Sequence, residues 1–228
     1  MKFSIKIMLL SMLLCSLLGM SQQNSAVYSF ISQTGEGTVL HHRVFIDNNY
    51  FIETVYSKSP MEFVKTSGGF YTKSNNNYMV DFEFNSNYAK DSIKQKTFTK
   101  MSHWKEVSIS KQPLDGKWLM AGRVKKDGES RRNLNGPRKT MKILLNGYFQ
   151  WTAFNTDTFG FFGSGGGIYT ALNGKYSEKI EYFSRDNSKA GIELNFEYTL
   201  KENDWYHKGL NSKGKPLHEI WTVRKNSF

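Results

Sequence analysis

The chain has 228 residues, a formal net charge of +11 and 15% aromatic side chains. That length allows one large domain or two small ones, and the basic excess favours a polyanionic partner: nucleic acid, anionic lipid or acidic polysaccharide. A single cysteine, Cys15, excludes disulfides, a thiol nucleophile and a thiolate metal site from the rest of the chain.

The chain opens as an export signal. Lys2 and Lys6 form a positive start, residues 7–18 an apolar stretch, and Gly19, Met20 and Ser21 a small-residue cleavage site before Gln22. Cys15 reads as part of the apolar stretch, because Leu14 precedes it and Leu17 and Leu18 come just after. Residues 1–21 are therefore expected to be a signal peptide, and the mature protein periplasmic or secreted. Export argues against nucleic acid as the partner. No later segment is long and apolar enough to span a bilayer.

From residue 22 the sequence reads as strands and turns. Residues 50–56 and 148–154 are rich in β-branched and aromatic types. Asn-rich and Gly-rich breaks at 47–49, 74–77, 146–147 and 173–174 suit tight hairpins. No amphipathic helix of three turns is present. A shift of 98 positions lays the chain on itself: Tyr50 on Tyr148, Thr54 on Thr152, Gly68-Gly69 on Gly166-Gly167, Tyr71 on Tyr169, Tyr78 on Tyr176 and Glu83 on Glu181. Beyond Phe98 the register slips and Trp104 pairs with Trp205. The expectation is an internal duplication: a first β repeat at 22–111, short enough to be an incomplete barrel, and a second, eight-stranded antiparallel barrel at 112–228.

The second repeat carries the features of interest. Residues 125–139 are basic, polar and broken by Gly and Pro, either a solvated loop or a lid over the barrel mouth. The glycines at 163–167 have neither nucleophile-elbow nor phosphate-loop spacing; a Gly pair repeated within a strand predicts a bulge or bend. Strict alternation over 176–183 places Tyr176, Glu178, Ile180 and Tyr182 on one face, and Trp205 shares a face with His207. No histidine pair has metal-site spacing, so no metal and no cofactor is expected.

The latter half of the chain resembles a family of secreted lipocalin-like proteins of marine bacteria, similar to those encoded beside polysaccharide-degrading enzymes. The resemblance rests on the runs at 114–118, 149–151, 162–170, 175–186 and 217–221, and on Trp118 after a glycine with Arg224 in the last strand, a lipocalin-like (calycin-like) pair that closes one barrel end. It implies tandem lipocalin-like barrels and a hydro-lyase: removal of water from the non-reducing-end uronic acid of an ulvan-type acidic oligosaccharide, leaving a 4,5-unsaturated sugar. That chemistry needs a cation on the carboxylate, a base for the C5 proton and an acid for the departing hydroxyl. The candidates are His207 with Tyr169 or Tyr176 for proton transfer, Arg185 for the carboxylate, and Trp151 and Trp205 as stacking platforms. Two other classes remain open: a non-catalytic barrel that captures an anionic oligosaccharide or a small apolar ligand, and a structural surface protein.

Overall fold

The computed structural model describes residues 25–225, and the export signal read at 1–21 lies outside the described residues. The described chain is almost wholly antiparallel sheet. β1 (Ala26–Gln33), β2 (Val39–Asp47), β3 (Tyr50–Lys58), β4 (Met61–Ser74) and β5 (Asn77–Asn85) are followed by a one-turn helix α1 (Tyr88–Asp91), β6 (Gln95–Thr99) and the short β7 (Lys105–Glu106). Then come β8 (Gly116–Lys125), β9 (Gly128–Arg131), β10 (Arg138–Leu145), β11 (Tyr148–Asn155), β12 (Gly160–Leu172), β13 (Lys175–Phe183), β14 (Glu193–Lys201), β15 (Asp204–Leu210) and β16 (Pro216–Val223), with a 3₁₀ turn at Asn187–Lys189.

β1–β7 form an open seven-stranded sheet in the order β6-β5-β4-β3-β2-β1-β7. β10 to β16 pair in sequence, β16 pairs with β8, and β8 pairs back onto β10, which closes an eight-stranded barrel; β9 is a hairpin extension of β8. The eight-stranded barrel expected in the second half is present, while the first half, expected as a barrel short enough to be incomplete, is an open sheet, so the tandem barrels reduce to one. The reason is chain length. Only residues 100–104 separate β6 from β7, where the barrel has the whole of β15, so the first sheet is a strand short of closure. Trp104, 9% exposed, packs in that gap against Tyr28 and Phe30.

Irregularities recur at the 98-residue spacing. The β3–β4 ladder slips between Val55 and Tyr56 and the β11–β12 ladder between Ala153 and Phe154; β4–β5 slips at Gly68/Gly69 and β12–β13 at Gly166/Gly167. Asn48 and Asn146, and Asn75 and Asn173, share positive φ in their hairpin turns. The glycine-pair bulge exists because the neighbouring backbone comes too close for a side chain. A Cβ on Gly167 would fall on the Lys179 carbonyl oxygen, and one on Gly69 on that of Asp81. Gly167→Ala is expected to cost about 2–3 kcal/mol or more, as overpacking against backbone does, seen as a lower urea midpoint at unchanged m-value.

The bulge also corrects the strict alternation over 176–183. Tyr176, Glu178 and Ile180 point into the barrel, but the extra residue at Glu181 re-aims the two after it. Tyr182 turns outward to donate to Gln150 Oε1 at 2.8 Å, and Phe183 turns inward.

The open sheet packs on the outside of the barrel. Val27, Phe45, Tyr50, Ile52 and Phe84 meet Leu119, Met141, Ile143, Leu145, Tyr148 and Phe154. β3 and the latter part of β10 are thus covered on both faces, which explains their near-continuous burial. Gln150 lies in this junction with its amide satisfied: Oε1 accepts from Thr54 and Tyr182, and Nε2 donates to Thr66 and Thr152. Glu83 and Glu181, 98 positions apart, each accept an arginine from the opposite half. Arg224 reaches Glu83 at 2.6 and 2.8 Å and lies over Tyr50; Arg43 reaches Glu181 at 2.8 Å and lies over Tyr148. Arg224 therefore serves the junction rather than a barrel-end pair with Trp118, whose indole donates to the Leu114 carbonyl.

Candidate functional site in the barrel

The barrel is plugged at the end where β8 begins. Leu114, Trp118, Leu144, Phe149, Tyr169, Tyr176, Phe196, Trp205 and Trp221 fill it. Towards the other end lies a cavity of about 280 Å³, near the lower limit of small-ligand sites, about 300 Å³. Its floor is polar. Lys142 from β10, Glu178 from β13, His207 from β15 and Glu219 from β16 project inward because each sits at an inward position of its strand. Phe149, Phe196 and Trp221 form the apolar wall, and Trp151, Phe183 and Arg185 stand towards the rim.

Lys142 Nζ donates to Glu178 Oε1 at 2.6 Å, with side-chain exposures of only 5% and 7%. Four rings, those of Phe149, Tyr176, Trp205 and Trp221, surround the ammonium at 5.1–5.8 Å. The Tyr176 hydroxyl donates to the same Glu178 oxygen at 2.6 Å. Burial, with the Glu178 charge beside it, pushes Tyr176 far above its ordinary range, so it stays protonated.

His207 is 2% exposed and neither ring nitrogen has a hydrogen-bond partner. Phe196, Trp205 and Tyr176 surround the ring at 4.0–5.3 Å between centroids. Its nearest carboxylate oxygen, on Glu219, is 3.8 Å from Nδ1. Burial holds the imidazole below its ordinary value of 6.5, outweighing the opposing pull of Glu219. Burial pushes Glu219 up, but His207, Lys142 and Arg123 together outweigh it and leave that carboxyl below its ordinary value; Trp221 Nε1 also donates to Glu219 at 3.2 Å.

The lowered His207 value has a thermodynamic sign. Well above pH 6.5 the ring is neutral in both folded and unfolded chains and contributes nothing. Below it the unfolded chain takes up a proton that the folded one refuses, so stability falls with pH until the folded-state value is reached. Burial chiefly sets that lower bound; Glu219 and Glu178, which face the ring, raise it, and Lys142 lowers it. His207→Gln is expected to flatten the loss of stability below pH 6.5, read as melting temperature against pH; an unchanged slope would remove His207 as its source.

Of the residues expected from the sequence, His207, Trp151 and Arg185 line the cavity. Tyr176 and Trp205 lie in the plug against His207. Tyr169 is in the same plug, beside Tyr176, but does not reach His207 or the cavity: its hydroxyl bonds Asp115, just before β8. Arg185 is a rim residue, with Nε and Nη2 both donating to the Phe162 carbonyl at 2.9 and 2.7 Å. Lys142, Glu178 and Glu219 are site residues that sequence reasoning missed. Lys142 was detectable as one charge within the apolar run 141–145, which a strand buried on both faces admits only with a partner.

The basic run 125–139 is not a lid on this cavity, since none of its residues lines it. It begins as the β8–β9 hairpin. Arg131 ties it to Asp204 at 2.8 Å and to Glu129 at 2.6 Å, and Lys139 donates to the Leu134 carbonyl. Among the described residues no cluster of His, Cys, Asp and Glu has metal-binding geometry, and no helix is long and apolar enough to cross a membrane. No protein-family model matches the chain, and no curated protein matches it significantly.

Proposed function

We propose that this chain is an exported hydro-lyase whose barrel takes the non-reducing-end uronic acid of an acidic, ulvan-type oligosaccharide and eliminates water to a 4,5-unsaturated uronide. The observation that carries the reading is His207: a buried imidazole, without a hydrogen-bond partner on either nitrogen and with Glu219 at 3.8 Å, against a cavity that also holds an ammonium–carboxylate pair. Buried polar groups are normally satisfied, and one left open in a cavity points to a ligand. Lys142, with Arg185 at the rim, would neutralise the substrate carboxylate and so acidify the C5 proton. His207 would take that proton, the C4–O bond would break, and the Tyr176–Glu178 pair would protonate the leaving hydroxyl. Trp151 and Phe183 offer faces to the next sugar.

We further propose that the two halves descend from one duplicated unit. The paired bulges, paired turns and reciprocal arginines support this. Closure of only the second half then left the enclosed barrel cavity in that half.

The test is incubation of the purified protein with oligosaccharides that end in a saturated uronate, following ultraviolet absorbance of the unsaturated uronide and the loss of one water by mass. Turnover is expected, and His207→Ala should lower it at least about 100-fold, the usual share of a general base. Binding without either signal would reassign the cavity to non-catalytic capture of the same sugars.

A further inference from the structure

The open sheet carries a second constellation, independent of the barrel. Ser32, His42 and Glu53 lie on three adjacent strands, β1, β2 and β3, on one face of the sheet. The register makes them diagonal neighbours: Phe30 opposes His42, Leu40 opposes Ser32, and Val44 opposes Glu53. His42 Nδ1 lies 2.9 Å from Glu53 Oε1, and His42 Nε2 lies 2.9 Å from Ser32 Oγ. An ionised carboxylate only accepts, so Glu53 fixes the proton on Nδ1, and Nε2 must then accept from the Ser32 hydroxyl. This is the tautomer and the order of contacts of a serine–histidine–carboxylate triad.

The surroundings fit that role. The His42 ring stacks on Phe30 at 4.1 Å between centroids, and Phe30 stacks in turn on Trp104, which fixes the imidazole plane. The His42 and Glu53 side chains are only 13% and 9% exposed, whereas Ser32 is open to solvent. A sheltered base beneath an accessible nucleophile is what attack on an external substrate requires. Backbone donors are also at hand. Val27 turns its N–H and C=O towards the β7 side, to Ser108 and Val107. By the two-residue period Ile31 and Gln33 turn the same way, and β7 reaches β1 only at Tyr28 and Ser29. Among the described residues, the Gln33 N–H, immediately after Ser32, therefore lies on an unpaired sheet edge and is available to an oxyanion.

The location adds to this. At the 98-residue spacing, His42 and Glu53 fall on Thr140 and Trp151, which line the barrel cavity. The open sheet thus presents this face where the barrel presents its ligand site. We propose that Ser32, His42 and Glu53 form an esterase site for small acyl esters. Ser32 Oγ attacks the acyl carbon while His42 Nε2 takes its proton. The C–O bond to the alcohol breaks and His42 returns the proton to that oxygen. Water, deprotonated by His42, then releases the acid and restores Ser32. Glu53 is a positioning residue, acting through His42.

The experiment is intact-mass analysis of the purified protein with a fluorophosphonate probe, alongside hydrolysis of 4-nitrophenyl acetate. The expected result is one adduct, absent from Ser32→Ala, with ester turnover lost in the same variant. Ser32 is exposed and its substitution should leave the melting temperature unchanged. Glu53→Gln is expected to lower kcat by about 10²–10⁴-fold with little change in KM, a split that mere loosening of the sheet would not give. An unlabelled wild-type protein, an adduct that persists in Ser32→Ala, or ester turnover equal in the two proteins would each overturn the assignment.

Discussion

Glu178→Leu is expected to be among the most destabilising single substitutions in the barrel, costing about 3–5 kcal/mol in urea unfolding. The Lys142–Glu178 pair is nearly water-free, and removing the carboxylate leaves an ammonium enclosed by four aromatic rings with no counter-charge within hydrogen-bond reach. The Tyr176 hydroxyl loses its acceptor in the same step. The double variant Lys142→Met with Glu178→Leu removes both charges and should recover most of that loss, because a buried pair replaced by packed apolar side chains is often neutral or stabilising. The same double variant should bind no uronate-ended oligosaccharide if the cavity is the ligand site. A pair that costs several kcal/mol to break and little to replace is retained for something other than stability. A Glu178→Leu cost below about 1 kcal/mol would mean that water reaches the pair and screens it as it does a surface ion pair.

Arg224→Ala should be the second large effect, at about 2–5 kcal/mol, the cost of truncating one partner of a buried, hydrogen-bonded charge pair across an interface. Its guanidinium makes two bonds to Glu83 and lies over Tyr50 and Phe70, at side-chain exposures of 10% and 15% for the arginine and glutamate. Burial, together with the Glu83 charge, pushes the Tyr50 hydroxyl far above its ordinary range, and that hydroxyl also donates to Glu83 at 2.6 Å. Without the arginine, Glu83 is left in the junction with a single neutral donor. Arg224→Lys should recover only part of the loss, because an ammonium cannot make the two-pronged contact. Because β16 and the backbone N–H of Arg224 bond β8 while the Arg224 side chain holds Glu83 of the open sheet, the barrel and sheet should unfold together in the wild type. Separation into two transitions in the alanine variant, by calorimetry, would locate this tie as the coupling element.

The all-β class, the hairpin positions and the repeated glycine pair were legible in the sequence. Each rests on local physics: β-branched and aromatic runs, residues that tolerate positive φ, and a bulge that admits no Cβ. Which residues of β13 share a face was legible up to Ile180 and failed after it, since a bulge adds one residue and reverses the alternation. Arg224 was misassigned for a related reason. Its place at the end of the last strand was clear, but the partner it reaches, Glu83, is 141 positions away.

Taken by itself, the sequence determined strand content, turn positions, a 98-residue internal likeness and the presence of His207, Trp151, Tyr176 and Arg185 as chemistry-bearing residues. Tertiary structure decided that the shorter half forms an open sheet packed on the outside of the barrel rather than a second barrel. It also decided that His207 meets Lys142, Glu178 and Glu219 while Tyr169 does not, and that Ser32, His42 and Glu53 line up across three strands. Strand periodicity tells which face a side chain takes; only the register between strands tells what it meets there.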